Sequence, residues 1–289
     1  MSVPRRRFLC YFLLFLASCN FTTRKVNLPQ KLRFGVTDVA GLSELQQYYD
    51  SFRVTLGKVL ATKVNFFALE NYTAAVPALL HNQLDLLLAG PSEYVILNAK
   101  AKGIPIIGIT RPDYYSVICV RNDSEINSLE QLQGKTIAMK AIGSTSGHLG
   151  PTQLLMNADL NPNSDVTIRM LRKQGLSALQ KGEVDAWGGT WRRYQDFLKL
   201  QDLTDNDFRI LGKSDPLPHD LLMVNQNLTT EIIEQMKWLI LQNQDQLLQS
   251  LLDADDDKYL GAKLVEAKDA DYNIIREVYQ AIGQQEVIQ

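Results

Sequence analysis

The sequence predicts an α/β protein of two half-sized lobes, joined by a hinge that the chain crosses twice and separated by a cleft. Three observations carry this. Short apolar strand-like runs alternate with helical stretches from residue 31 onward. Residues 84–88 form an almost uninterrupted apolar run, the pattern of a strand covered on both faces. The alternation changes character near residues 115 and 212, which assigns residues 31–115 plus 212–289 to one lobe and 116–211 to the other. With 289 residues, 45% of them hydrophobic and 21% charged, the chain can bury two cores and is neither disordered nor polytopic in a membrane. A formal net charge of -2 argues against a general nucleic-acid binder.

The first residues read as an address. Arg5, Arg6 and Arg7 precede an apolar run over 8–16, which is shorter than the roughly 20 residues a membrane-spanning helix needs. Small residues then lead to Cys19, so 1–18 is expected to be a signal peptide and the polar stretch 19–30 a tether. Leu16-Ala17-Ser18-Cys19 resembles the bacterial lipoprotein box, which implies lipidation at Cys19. Cys10 would be discarded with the signal, leaving Cys119 alone, in a run that reads as a buried strand, with no internal disulfide possible.

In the first lobe, strands are expected at 32–36, 63–67, 84–88 and 105–110, with helices at 42–60, 73–81 and 94–102. This repetition argues for a mostly parallel sheet. In the second lobe, strands are expected at 116–120, 135–139, 166–170, 184–187 and 208–211. Ser128 and Gln131 have capping-box spacing for a short helix ending at Gly134, and helices follow at 149–156 and 175–181. The chain then offers a strand at 221–224 and is mainly helical from 230.

Ser144-Thr145-Ser146-Gly147 stands where a strand ends and a helix begins. Three hydroxyls and free backbone N–H groups there form a donor-rich cup for an anion; the plainer reading is an ordinary helix cap. Thr37-Asp38 and Gly90-Pro91-Ser92-Glu93-Tyr94 lie beyond strand C-termini, where open α/β sheets bind ligands. Tyr94 either reaches a ligand or packs in the core. Asp220 either accepts the O–H of a protonated oxyanion, selecting it over sulfate, or closes an Asx turn after Pro218. Arg172 or Lys173 would supply positive charge to the cleft, unless they form a solvated face. Trp187 and Trp191, flanking Gly188-Gly189-Thr190, either wall the cleft or pack in the core. No HExxH or CxxC supports a metal, and no G-x-S-x-G supports a nucleophile built from Ser144, His219 and Asp220.

Taken together, Leu32–Val36, Asn71-Tyr72, Leu84–Pro91, Ser144–Gly147 with Pro151, Val184-Asp185-Ala186 and Pro218-His219-Asp220 resemble the periplasmic phosphonate/phosphite/phosphate-binding proteins of bacterial ABC importers. The resemblance covers about residues 31–275. It implies an α/β, two-lobed periplasmic binding protein type II fold, no catalytic turnover, no cofactor, and a monomer that closes on a small phosphorus oxyanion. It further implies delivery to an ABC permease with its ATPase, on the periplasmic side of a bacterial membrane. Family-like positions are Tyr94, Ser144, Thr145, Ser146 and Asp220, while Arg172 or Lys173 stands where the family commonly has histidine. The stretch 187–191 lacks the carboxylate that suits a ligand ammonium. Phosphate, phosphite or methylphosphonate is therefore expected over 2-aminoethylphosphonate. A ligand-sensing module for a signalling partner and an enzyme acting on a phosphorylated small molecule are the alternatives.

Overall fold

The computed structural model describes residues 27–39, 41–71 and 74–289. The expected signal peptide at 1–18 and the expected lipidation at Cys19 lie outside the described residues. Residues 27–30 of the expected tether are described and already join the body. Leu28 packs on the core, and the Pro29 and Gln30 carbonyls accept from Thr62 Oγ1 (3.0 Å) and the Lys63 N–H (3.1 Å). Among the described residues, no helix is long and apolar enough to cross a membrane.

The chain opens with β1 (Lys31–Val36), α1 (Leu42–Leu60) and β2 (Lys63–Phe66). Helix α1 buries Leu45, Tyr49, Phe52, Leu56 and Val59, a spacing of three and four that keeps one stripe against the sheet. It stops at Ala61 in the left-handed conformation. Then come α2 (Ala75–Leu80), β3 (Leu86–Ala89), α3 (Pro91–Ala101) and β4 (Ile104–Ile109). The chain crosses at 110–115 into β5 (Ser116–Arg121), β6 (Thr136–Met139), α4 (Gly150–Asn157), β7 (Thr167–Met170), α5 (Gly175–Gln180), β8 (Ala186–Thr190), α6 (Trp191–Leu200) and β9 (Phe208–Lys213). It returns at 214–219 into β10 (Asp220–Val224), α7 (Thr230–Gln242), α8 (Gln244–Tyr259), β11 (Leu264–Glu266) and α9 (Asn273–Ala281).

Two sheets result, in the orders β11-β4-β10-β3-β1-β2 and β7-β6-β8-β5-β9. The expectation of mostly parallel sheets is corrected: each is mixed. Strand β1 pairs in parallel with β2 and β3, but β10 runs antiparallel to β3 and β4. Likewise β6 pairs in parallel with β7 and β8, and β5 runs antiparallel to β8 and β9. The double crossing is the reason. The β-α strands end on the hinge side of each sheet, whereas β5 and β10 enter their sheets from the hinge. The C-terminal ends of β1, β3 and β4 therefore meet the start of β10 on one edge, and the ends of β6 and β8 meet the start of β5 on the other.

Helices cover both faces of each sheet. One first-lobe core lies between the sheet and α1, α7 and α8; another, holding Tyr94, Tyr272, Ile275 and Tyr279, lies under α2, α3 and α9. Fully buried Leu149, from the chain between β6 and α4, inserts into that second cluster and makes an apolar seam between the lobes. Local readings also changed. The expected helix after Ser128 is one 3₁₀ turn, Glu130–Leu132, with Gln131 Oε1 accepting the Asn127 N–H at 2.6 Å. Helix α6 and strand β11 were not anticipated. Thr190 caps α6 by accepting the Arg193 N–H (3.1 Å), and its Tyr194, Phe197 and Leu198 are buried at helical spacing.

Candidate functional site

The second-lobe wall is built by the chain leaving β6. Gly143 takes a φ of 79°, and Thr145–Leu149 forms one π-type turn that runs into α4. The Lys140 N–H donates to the Gly147 carbonyl at 2.9 Å, and a Cβ on Gly147 would lie 2.5 Å from that of Lys140. The backbone there admits glycine alone without movement. The Ser116 hydroxyl donates to the Ser146 carbonyl at 2.9 Å, bracing the turn from β5. The leading N–H groups of the turn have no acceptor within it and remain as donors. The hydroxyls face the first lobe: Thr145 Oγ1 accepts the Ser92 N–H at 3.2 Å, and Ser146 hydrogen-bonds the Tyr114 phenol. Ser144 is the half-buried residue before the turn, its carbonyl accepting from His148 and Leu149.

His148 holds this loop from below. Its Nδ1 accepts the Gly143 N–H at 3.2 Å, and burial pushes its pKa down to about 4. The folded chain therefore refuses a proton that the unfolded chain accepts from about pH 6.5 downward. Stability is expected to fall by about 3 kcal/mol as pH drops from about 6.5 to about 4, then to level off. Denaturant melts across that range, repeated with His148→Asn, check this; an identical slope in the variant would refute the assignment.

The first-lobe wall gathers charge. The Thr37 N–H donates to the Leu88 carbonyl at 3.0 Å, while its hydroxyl is buried without a partner. Asp220, only 2% exposed, begins β10 beside Ile109. Its carboxylate accepts from Lys258 Nζ (2.7 Å), from the Tyr259 hydroxyl (3.1 Å) and, at 3.5 Å, from Arg111 Nη1. Lys258 also reaches Asp38 at 2.6 Å. This aim depends on a break in α8: Asp255 leaves helical geometry, and its Oδ1 accepts the Lys258 N–H at 2.9 Å, re-capping the last turn. Burial works against the charge of Lys258, but Asp220 foremost and Asp38 hold its pKa well above the usual range. Lys258, followed by the opposing effect of burial, dominates Asp38, whose pKa is lowered; Lys140 from the other lobe contributes too. Arg111 lies over the Tyr114 ring at 3.7 Å, and among the described residues one of its five donors is engaged, by Asp220.

Of the residues expected from the sequence, the structure brings Thr37, Ser144, Thr145, Ser146 and Asp220 to facing edges of the two sheets. Three expectations are corrected. Tyr94 is fully buried, packs on Tyr272 at 4.5 Å between ring centroids, and donates to Asp269 at 2.6 Å, so it is a core residue. Asp220 does not wait for a ligand proton; it is the counter-ion that holds Lys258 and Arg111. Arg172 is exposed at a φ of 50° and so forms part of a solvated face, while the second-lobe cation that acts on the opposite wall is Lys140, whose charge helps lower the Asp38 pKa. Trp187 is also in the core, its ring filling the space a Cβ on Gly189 would need, 2.2 Å away. Trp191 stacks between Tyr115 (5.8 Å) and Tyr194 (5.3 Å). His219 follows a different course from its neighbour Asp220: it lines a cavity of about 390 Å³ with Leu217, Val265, Glu266 and Asp271, whose acids oppose an anion. Arg111, Lys258 and Glu93 were missed. Arg111 follows a strand end by the same rule that found Thr37, so that signal was present.

The description of the periplasmic phosphonate substrate-binding protein of ABC transporters matches residues 34–272. A phosphate-import protein, PhnD, of Mycolicibacterium smegmatis is 25% identical over 91% of this chain and 89% of its own. Among solved structures, XAC2383 of Xanthomonas citri bound to ATP superposes with a TM-score of 0.69 at 19% identity, covering 89% of this chain and 98% of that one. PhnD1 of Prochlorococcus marinus in complex with methylphosphonate gives 0.64 at 19% identity, covering 89% and 99%. The fold is that of the two-lobed type II periplasmic binding proteins. With the match spanning nearly the whole folded body, this chain belongs to the periplasmic phosphonate-binding family of ABC-transporter substrate-binding proteins.

Proposed function

We propose that the chain binds one small phosphorus oxyanion between its lobes and delivers it, without catalytic turnover, to an ABC permease with its ATPase. In this reading it works as a monomer on the periplasmic side, tethered by lipid at Cys19. The relatives' names support phosphate, phosphite or a small phosphonate such as methylphosphonate as the ligand class. The observation that carries the reading is a two-sided donor array. The Thr145 and Ser146 hydroxyls meet Ser92 and Tyr114 at the seam, Arg111 lies over that Tyr114 ring, and Lys258 and the unpartnered Thr37 hydroxyl belong to the same first-lobe wall. Hydroxyl and amide donors fix oxygen positions, and the two cations offset the ligand charge. A ligand touching both walls stabilises the lobes' joined arrangement, because neither wall alone supplies all contacts.

Calorimetric titration of the protein with phosphate, phosphite, methylphosphonate, 2-aminoethylphosphonate and sulfate tests this. One anion per chain is expected, with a phosphorus oxyanion tightest. Absence of binding by every anion would overturn the receptor reading, and turnover of a phosphomonoester would replace it with an enzyme.

A further inference from the structure

Glu93 lies in the first turn of α3, and its carboxyl folds back over the helix start: a Cβ on Gly90 would sit 2.5 Å from Glu93 Oε2. The Ser92 hydroxyl donates to that oxygen at 2.9 Å. The N–H of the same Ser92 donates to Thr145 Oγ1, so the carboxyl adjoins the hydroxyl array of the second lobe. Three acids share the first-lobe wall, and they are not equivalent. Asp38 and Asp220 both contact Lys258, and Asp220 also meets Arg111. Among the described residues, no cation pairs with Glu93.

We propose that Glu93 is a specificity-determining residue of this cleft, requiring that carboxyl and ligand bring at least one acidic proton between them. The inference rests on the oxyanion reading above and names its chemical filter. When the carboxyl is protonated, it donates its O–H to a ligand oxygen. When it is ionised, the ligand must donate, which hydrogenphosphate does through its P–O–H and sulfate does not. In either case one O–H···O bond joins the two, and no covalent bond changes. An ionised Glu93 facing a proton-free anion leaves two negative groups in contact, which costs binding.

The surrounding charges set where this filter operates. Burial foremost, then Asp38 from the loop after β1, raise the Glu93 pKa, and Asp220 from β10 adds to this; the Ser92 hydroxyl and backbone bonding oppose. The result is about 7. Lys258 of α8, Arg111 after β4 and Lys140 across the seam act on Asp38 and Asp220, so they do not cancel the effect.

Calorimetry with sulfate and phosphate at about pH 5.5 and about pH 8.5, on the native protein and on Glu93→Gln, tests the proposal. Native sulfate affinity is expected to fall about 30-fold over this range, while phosphate shows no such loss. At the higher pH, titrations in buffers of different ionisation heat are expected to show uptake of close to one proton per sulfate and none per phosphate. Glu93→Gln is expected to make sulfate binding independent of pH. Sulfate binding in the native protein that is flat with pH, or that takes up no proton, would overturn the proposal. So would phosphate binding accompanied by no sulfate binding at the lower pH. These readouts need only the native protein, so they decide even if the variant does not fold. Failure of the receptor reading looks different: neither anion binds at either pH.

Discussion

Asp220→Ala is expected to lower folding stability by about 3 kcal/mol or more, because it strands Arg111 and leaves Lys258 with Asp38 alone. The carboxylate is 2% exposed and takes Lys258, Tyr259 and Arg111 at once. The Lys258 and Arg111 side chains are themselves only 13% and 19% exposed, so water replaces the lost partner poorly. Asp38 remains to Lys258, but among the described residues Arg111 has no other ion pair. Urea melts measure the effect, and a loss below about 1 kcal/mol would show that the cluster is already solvated. The double variant Asp220→Ala with Arg111→Met is expected to regain part of the loss, since it removes the stranded charge along with the acid and leaves the Lys258–Asp38 pair in place. The result separates the counter-ion role from that of a ligand-proton acceptor, which would leave stability nearly unchanged.

The second large effect concerns binding. Thr145→Val combined with Ser146→Ala is expected to weaken phosphate binding by about 100-fold or more. Each hydroxyl bond to a charged oxygen contributes about 1.5–3 kcal/mol. Valine matches threonine in shape, and the turn is held by Ser116, Gly147 and His148 rather than by these hydroxyls. The buried Ser92 N–H and the Tyr114 hydroxyl each lose a partner, so folding stability is expected to fall by about 1–3 kcal/mol, and affinity is read well below the melt. An affinity within threefold of native, measured by calorimetry, would move the ligand away from this turn.

How far the sequence could be read depended on how local each feature is. The donor turn at 144–146 was legible because a strand, a glycine-bearing loop and a helix start are all written in consecutive residues. Glu93 and Tyr94 show the limit. The sequence suggested a helix starting at Tyr94, whereas α3 starts at Pro91. Neighbouring helical residues point about 100° apart, so once the helix is set, Tyr94 goes to the core and Glu93 to the wall. The mixed sheets were hidden for a related reason. Strand direction in β5 and β10 follows from where the chain re-enters each lobe, which no local pattern records.

Lys258 marks the other boundary. In the sequence it closes the acidic run 253–257 and reads as an ordinary solvated helix end. In the fold its ammonium meets Asp38, 220 residues away, and Asp220. By itself the sequence determined the alternation of elements, the two-core α/β class and the hydroxyl turn, because backbone propensity and periodicity act over a few residues. The tertiary structure alone decided which charges neutralise one another and which acid stays without a cation, because Coulomb pairing and burial depend on distance in space.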